Sequence, residues 1–80
     1  DVMTSVEANL YPNPANSHIN VSSLSIIDRV QITNVLGQVV MTKEIGANGA
    51  NINIENLEAG NYFVTIYTKQ GVATKKLLVK

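Results

Sequence analysis

Apolar and polar residues alternate along most of this 80-residue chain, and helical spacing is almost absent. Ile19 and Val21 alternate with polar neighbours, and so do Val30 and Ile32 further along. A two-residue repeat is what a β-strand with one buried face produces, because successive side chains point to opposite faces. The pattern therefore predicts two half-buried strands in the first half of the chain.

The rest of the chain has the pattern of short strands joined by turns. A short strand over 9–11 precedes two prolines, further strands follow at 38–43, 51–54, 62–68 and 72–79, and the connections between them lie at 34–37, 46–49, 57–60 and 69–71. Short strands separated by turn residues are typical of a sandwich or a small barrel. We predict an all-β, small Ig-like antiparallel β-sandwich of about seven strands. Residues 1–8 show little patterning and are predicted to be a linker remnant, and residues 9–80 the folded domain.

The predicted core is mainly aliphatic, because the chain has only one Phe and three Tyr. β-Branched side chains pack well on a half-buried pleated sheet and so favour strands. The continuous apolar run around residues 39–41 leaves the choice of buried face open there. The side chains expected in the core are Ile19, Val21, Val30, Ile32, Val39, Ile52, Leu57, Tyr62, Val64 and Ile66.

Turn residues predict three structural features. Leu57 to Gly60, followed by Tyr62, predicts a tyrosine corner, in which the buried hydroxyl donates to a backbone carbonyl nearby. Gly37 and Gly60 are expected to adopt positive φ, which glycine tolerates best. Gly71 is expected to close the last hairpin.

Composition excludes several classes of protein. The formal net charge is zero, from six basic and six acidic side chains, whereas binding of nucleic acid needs a clustered positive surface. The chain has no cysteine, which rules out a disulfide or a thiolate metal site. No apolar run approaches the ~20 residues of a transmembrane helix.

Residues 1–4 lack the pattern of a signal peptide, so an exported form of this chain is expected to be a mature piece or an excised fragment.

Candidate catalytic groups are sparse. His18 follows Ser17, but neighbours on a strand point to opposite faces, and a triad also needs a carboxylate and an oxyanion hole. The carboxylates are scattered singly, without the pairing of an acid–base site or the spacing of a calcium loop. They are Asp1, Glu7, Asp28, Glu44, Glu55 and Glu58. We expect a domain that is not an enzyme and has no metal, cofactor or small-molecule substrate.

Two segments are candidates for recognition by a partner. The first comprises Tyr11, Pro12, Asn13 and Pro14, and the second comprises Lys75, Lys76, Leu77, Leu78, Val79 and Lys80. Each has a simple structural explanation, since prolines stiffen an entry turn and lysines on an edge strand prevent aggregation. A charged, exposed edge is also a docking surface, so both roles are compatible.

Four motifs, taken in order, resemble one family. Tyr11 to Pro14, Gly37 to Val40, Leu57 to Tyr62 and Lys75 to Lys80 are similar to the blocks of C-terminal sorting domains in cargo of the type IX (Por) secretion system of Bacteroidetes. The resemblance implies a non-catalytic signal that directs a larger cargo across the outer membrane and is then removed by a sortase-like peptidase. It implies an outer-membrane translocon and a shuttle protein as further partners.

The resemblance also implies a route for the cargo: the periplasm in transit, then the cell surface or the medium. The parent protein can itself be an enzyme such as a protease. The alternative is an accessory carbohydrate-binding or adhesion module of a secreted enzyme, for which Tyr11, Phe63 and Tyr67 are the available aromatics. Open strand edges also predict that the isolated domain forms a strand-swapped homodimer, by exchanging its last hairpin about Lys69-Gln70-Gly71.

Overall fold

A computed structural model describes residues 7–80 and shows an all-β domain. Its strands are β1 (Ala8–Tyr11), β2 (His18–Asn34), β3 (Val39–Asn53), β4 (Gly60–Thr68) and β5 (Gly71–Val79). All strand pairs are antiparallel and belong to one hydrogen-bonded sheet. The all-β class is confirmed, but the described chain has five strands instead of about seven. Over the same residues there is no helix long and apolar enough to span a membrane.

The central element is β2, which is 17 residues long. β3 pairs with one edge of β2, while β1 and β4 pair with successive parts of the other edge, and β5 follows β4. The prediction of two separate strands around Ile19 and Ile32 is therefore wrong. Register shifts after Ser22 and after Ile27 interrupt the two-residue repeat, which makes one bent strand look like two in the sequence.

The predicted loop at 46–49 is also wrong, because these residues lie within β3. Gly46 has φ +75°, and the pairing with β2 changes register in this region. The side chain of Asn48 donates to the carbonyls of Ser23 and Leu24, at 3.3 and 3.0 Å. Glycine and asparagine here form an irregularity inside a paired strand, where their composition alone indicated a turn.

The core lies on the inner faces of the bent sheet. Eight predicted members are confirmed as buried: Ile19, Val21, Val30, Ile32, Ile52, Tyr62, Val64 and Ile66. Leu57 is half-buried and packs against them. Six further buried hydrophobic residues were absent from the predicted core: Ala8, Ala15, Ile27, Ile54, Leu77 and Val79.

Val39 is the one predicted core residue that the structure places outside, with 53% of its surface exposed. A register shift at the end of the hairpin sets Met41 opposite Ile32 and Val39 opposite Thr33. Residues directly opposite each other in an antiparallel pair share a face, so Met41 faces the core and Val39 faces outwards.

The predicted turn and corner are confirmed. Gly37 donates its N–H to the carbonyl of Asn34 at 3.0 Å and has φ +86°. The Tyr62 hydroxyl donates to the carbonyl of Glu58 at 2.6 Å, next to Gly60 with φ +151°. The bond satisfies the polar end of a ring that is otherwise buried.

The predicted linker over 1–8 falls mostly outside the described part of the chain, which excludes residues 1–6. Ala8 is the first residue of β1 and is buried in the core, with 5% of its surface exposed.

Candidate recognition surface

Asn13 joins the proline segment to the last strand. Its Nδ2 donates to the carbonyl of Lys76 at 2.8 Å, and its Oδ1 accepts from the N–H of Leu78 at 3.1 Å. These are the two bonds that a residue opposite Leu77 would make in a parallel ladder. The side-chain amide of Asn13 thus takes the place of a backbone peptide group.

Ala15 repeats this pattern two residues further along, now with its backbone. Its N–H donates to the carbonyl of Leu78 and its carbonyl accepts from the N–H of Lys80, both at 2.8 Å. The result is a parallel bridge between Ala15 and Val79. Asn13 and Ala15 together cover the otherwise open edge at the end of β5, so the two predicted recognition segments form one continuous surface.

The proline segment itself is exposed. Tyr11, Pro12, Asn13 and Pro14 all have exposed side chains, with 53% of the surface of Tyr11 accessible. The peptide bonds before Pro12 and Pro14 are both cis.

The two-residue repeat of β5 divides its end into a buried and an exposed set. Leu77 and Val79 are core residues, with 1% and 2% of their surface exposed. Lys76, Leu78 and Lys80 are exposed. A partner that contacts the folded domain therefore has access to the side chains of the exposed set, while Leu77 and Val79 offer it none.

Lys75 is exposed on the other face of the strand. It lies in register with the buried Val64, on the core side of β5, yet Lys75 itself is exposed. There it lines a depression with Glu7, Ala8 and Asn9. The lysines of the second candidate segment are thus divided between two faces.

Phe63 is a surface residue that the sequence did not assign to the recognition surface. It lies directly opposite Lys76 in the β4–β5 register, and 37% of its surface is exposed. Phe63, Lys76 and Val35 line a common depression of about 330 Å³. The alternation in β4 indicated that Phe63 faces away from Tyr62, but only the register of β4 on β5 sets it beside a lysine.

Candidate catalytic chemistry is limited to one contact. Ser17 Oγ lies 3.2 Å from His18 Nδ1, although the two side chains were expected to face apart. Ser17 precedes β2, so strand alternation does not apply to it. Within residues 7–80 no carboxylate is hydrogen-bonded to His18, and no group of acidic or histidine side chains could hold a metal ion.

A family model described as a secretion system C-terminal sorting domain matches residues 9–80, all but the first eight residues of the chain. The resemblance drawn from the four motifs is thereby confirmed. No curated protein sequence matches this chain.

Proposed function

Because this chain belongs to the family of secretion system C-terminal sorting domains and is a sorting signal of the type IX system, we propose that the secretion machinery binds its folded recognition surface. That surface consists of Tyr11–Pro14 and the exposed set Lys76, Leu78 and Lys80 of the last segment. The observation that carries the proposal is the hydrogen bonding of Asn13 and Ala15 to the last strand. It turns two motifs more than sixty residues apart into one surface.

Recognition of the fold, rather than of a linear peptide, follows from the burial of Leu77 and Val79. An extended peptide would present every side chain of the terminal segment, whereas the folded strand presents alternate ones. The machinery therefore binds a domain that has already folded.

The proposal includes the route and the partners. The domain carries a larger cargo from the periplasm across the outer membrane, binding the translocon and a shuttle protein, and a sortase-like peptidase then removes it. The cargo can itself be an enzyme such as a protease. A secretion signal implies export toward the cell surface or the extracellular space. The sorting domain itself is non-catalytic.

Within the all-β class, we propose that the domain is an Ig-like sandwich. β2 is shared between two groups of strands, since its first part pairs with β1 and its second part with β4, which in turn carries β5. A long bent strand shared in this way allows two layers to enclose one core.

The alternative of a carbohydrate-binding module is not favoured. Sugar rings stack on exposed aromatic faces, but the guanidinium of Arg29 lies 4.1 Å from the centre of the Tyr67 ring and covers it. Tyr11 lies on β1 and Phe63 on β4, strands that do not pair with each other.

Export of a reporter tests the proposal. Residues 1–80 are fused to the C-terminus of a periplasmic reporter and expressed in a bacterium with the type IX system and in a matched strain lacking its translocon. We expect the reporter at the surface or in the medium, without the domain, in the competent strain alone. A reporter that stays in the periplasm of the competent strain, attached to a folded domain, would contradict the proposal.

Deleting residues 75–80 would also remove two core side chains, so a loss of export would not separate recognition from folding. The double variant Lys75→Glu/Lys76→Glu avoids this, because it keeps both core side chains; of the two lysines, Lys76 is the one that belongs to the recognition surface. Exposed substitutions change stability by no more than about 0.5 kcal/mol. We expect reduced export at an unchanged thermal midpoint of the purified domain.

A further inference from the structure

One end of the outer sheet surface combines exposed apolar side chains with lysines. We name this surface, formed by Val35, Phe63, Lys76, Leu78 and Lys80, the Phe63 face. Val35 is 66% exposed, and Phe63 and Leu78 are each 37% exposed. Exposed apolar side chains that cluster, rather than lie scattered, mark interaction sites.

Strand register is what brings these residues together. Phe63 lies opposite Lys76, and Leu78 lies opposite Asn61, two residues before Phe63. Leu78 is therefore a diagonal neighbour of Phe63 on the same face, at roughly 7–8 Å, within reach of an aromatic ring. Lys80 lies just beyond the end of β5, where the bond from its N–H to the carbonyl of Ala15, at 2.8 Å, continues the ladder, so a lysine lies two residues before Leu78 and another two residues after it.

The charge of the Phe63 face is positive. Glu44 faces this outer surface in register with Arg29. Among residues 7–80 the salt bridge present joins Asp28 to Lys69, at 2.9 Å, and it involves neither Lys76 nor Lys80. Lys76 and Lys80 are thus the charges that a partner would meet beside Phe63 and Leu78.

We propose that the secretion machinery holds this domain by the Phe63 face, and that its partner there is a protein surface presenting an apolar side chain flanked by carboxylates. The apolar group fills the depression between Val35 and Phe63, and the carboxylates pair with Lys76 and Lys80. Apolar contact supplies the affinity of such an interface, and the complementary charges set its orientation. This inference rests on the proposed function and names the face and the partner chemistry.

A protein partner fits the surface better than an anionic membrane does. Lipid-binding surfaces collect about four to eight basic residues, because each contributes only about 1 kcal/mol. The Phe63 face has two lysines on a chain of zero net charge. A rigid sheet surface with side chains at fixed spacing also suits a shaped protein surface more than a fluid one.

Two pairs of matched variants test the inference in the reporter fusion. Lys76→Glu changes the Phe63 face, whereas Lys75→Glu makes the same change on the neighbouring residue of the same strand, on the opposite face. Phe63→Ser removes the apolar centre, whereas Val72→Ser alters another exposed residue, 47% accessible, in register with Tyr67 at the far end of β5. Purified domains are compared by thermal melting, to verify that all four variants fold.

We expect Lys76→Glu and Phe63→Ser each to lower export by roughly tenfold or more, the loss of affinity typical of an anchoring residue. Lys75→Glu and Val72→Ser are expected to export like the unchanged domain. Equal export of Lys76→Glu and Lys75→Glu, with all variants folded, would overturn the inference. If even the unchanged fusion is not exported, the proposed function itself is what fails.

Two binding measurements exclude other occupants of the face. Sedimentation with phosphatidylglycerol vesicles would overturn the protein assignment if the domain binds them and Lys76→Glu does not. Light scattering would overturn it in favour of a second copy if the domain dimerises and Phe63→Ser abolishes the dimer. We expect the Phe63 face to take part in neither.

Discussion

At the scale of single residues, Asn13 shows how one side chain can complete a sheet. The proline rings beside it have no N–H to offer, so this segment cannot run as an ordinary strand next to β5. The amide of Asn13 supplies both a donor and an acceptor at the required spacing, to Lys76 and Leu78. A segment that is poor in backbone donors thus still satisfies the edge of the last strand.

Replacing Asn13 with Ala is expected to destabilise the domain by about 1–3 kcal/mol, since two hydrogen bonds are lost at roughly 0.5–1.5 kcal/mol each. Urea denaturation measures the change, and hydrogen exchange should show lost protection at the Leu78 amide. Asn16→Ala, at an exposed asparagine of the same connection, is the control and should stay within about 0.5 kcal/mol of the unchanged domain. Equal stability of the two variants would contradict the role given to Asn13.

At the scale of elements, β2 organises the molecule. It pairs with three of the other four strands, and its inner face supplies Ile19, Val21, Ile27, Val30 and Ile32 to the core. The register shifts that bend it bring both of its parts onto that core. Substitutions along β2 should therefore affect stability according to face, whatever their position along the strand.

Ile32→Ala is expected to cost about 2–4 kcal/mol, because it leaves a cavity in a packed core. Ile32 is fully buried, whereas Leu24 on the same strand is 90% exposed. Leu24→Ala, an aliphatic truncation on that strand, should therefore change stability by less than about 0.5 kcal/mol. Chemical denaturation of both variants checks this, and similar losses at the two sites would show that the burial assigned to β2 is wrong.

At the scale of the whole molecule, the connection between β1 and β2 is bonded to the last strand. The connection after β1 covers the end of β5, so the last strand is held both by β4 and by Asn13 and Ala15. The turn of this hairpin is held by Thr68, whose hydroxyl accepts from the N–H groups of Gln70 and Gly71, each at 3.1 Å. Opening this turn frees β5 from β4, which is the step that an exchange hinged at Lys69-Gln70-Gly71 requires.

The isolated domain is expected to form a strand-swapped dimer at high concentration, with Lys69-Gln70-Gly71 as the hinge. Thr68→Val removes the hydroxyl bonds that close the turn, so the dimer fraction should rise in this variant. Size-exclusion chromatography with light scattering measures both proteins. A strict monomer in both cases would count against the exchange.

Local sequence patterns were enough to predict the strand class, the turn at Gly37, the tyrosine corner, most of the core and the family. These features depend on neighbours within a few residues: alternation selects a strand face, and glycine selects a backbone conformation that other residues disfavour. The four family motifs are likewise readable in order along the chain.

Which residues of different strands become neighbours depends on the three-dimensional fold. Register and bulges depend on pairing between distant segments, so the sequence did not reveal that β2 is one strand, that 46–49 lies within β3, or that Val39 faces outwards. For the same reason it did not show that Asn13 completes the edge of β5 or that Phe63 lies beside Lys76. Alternation assigns each residue to a face of its own strand, but the long-range hydrogen bonds decide what lies next to it.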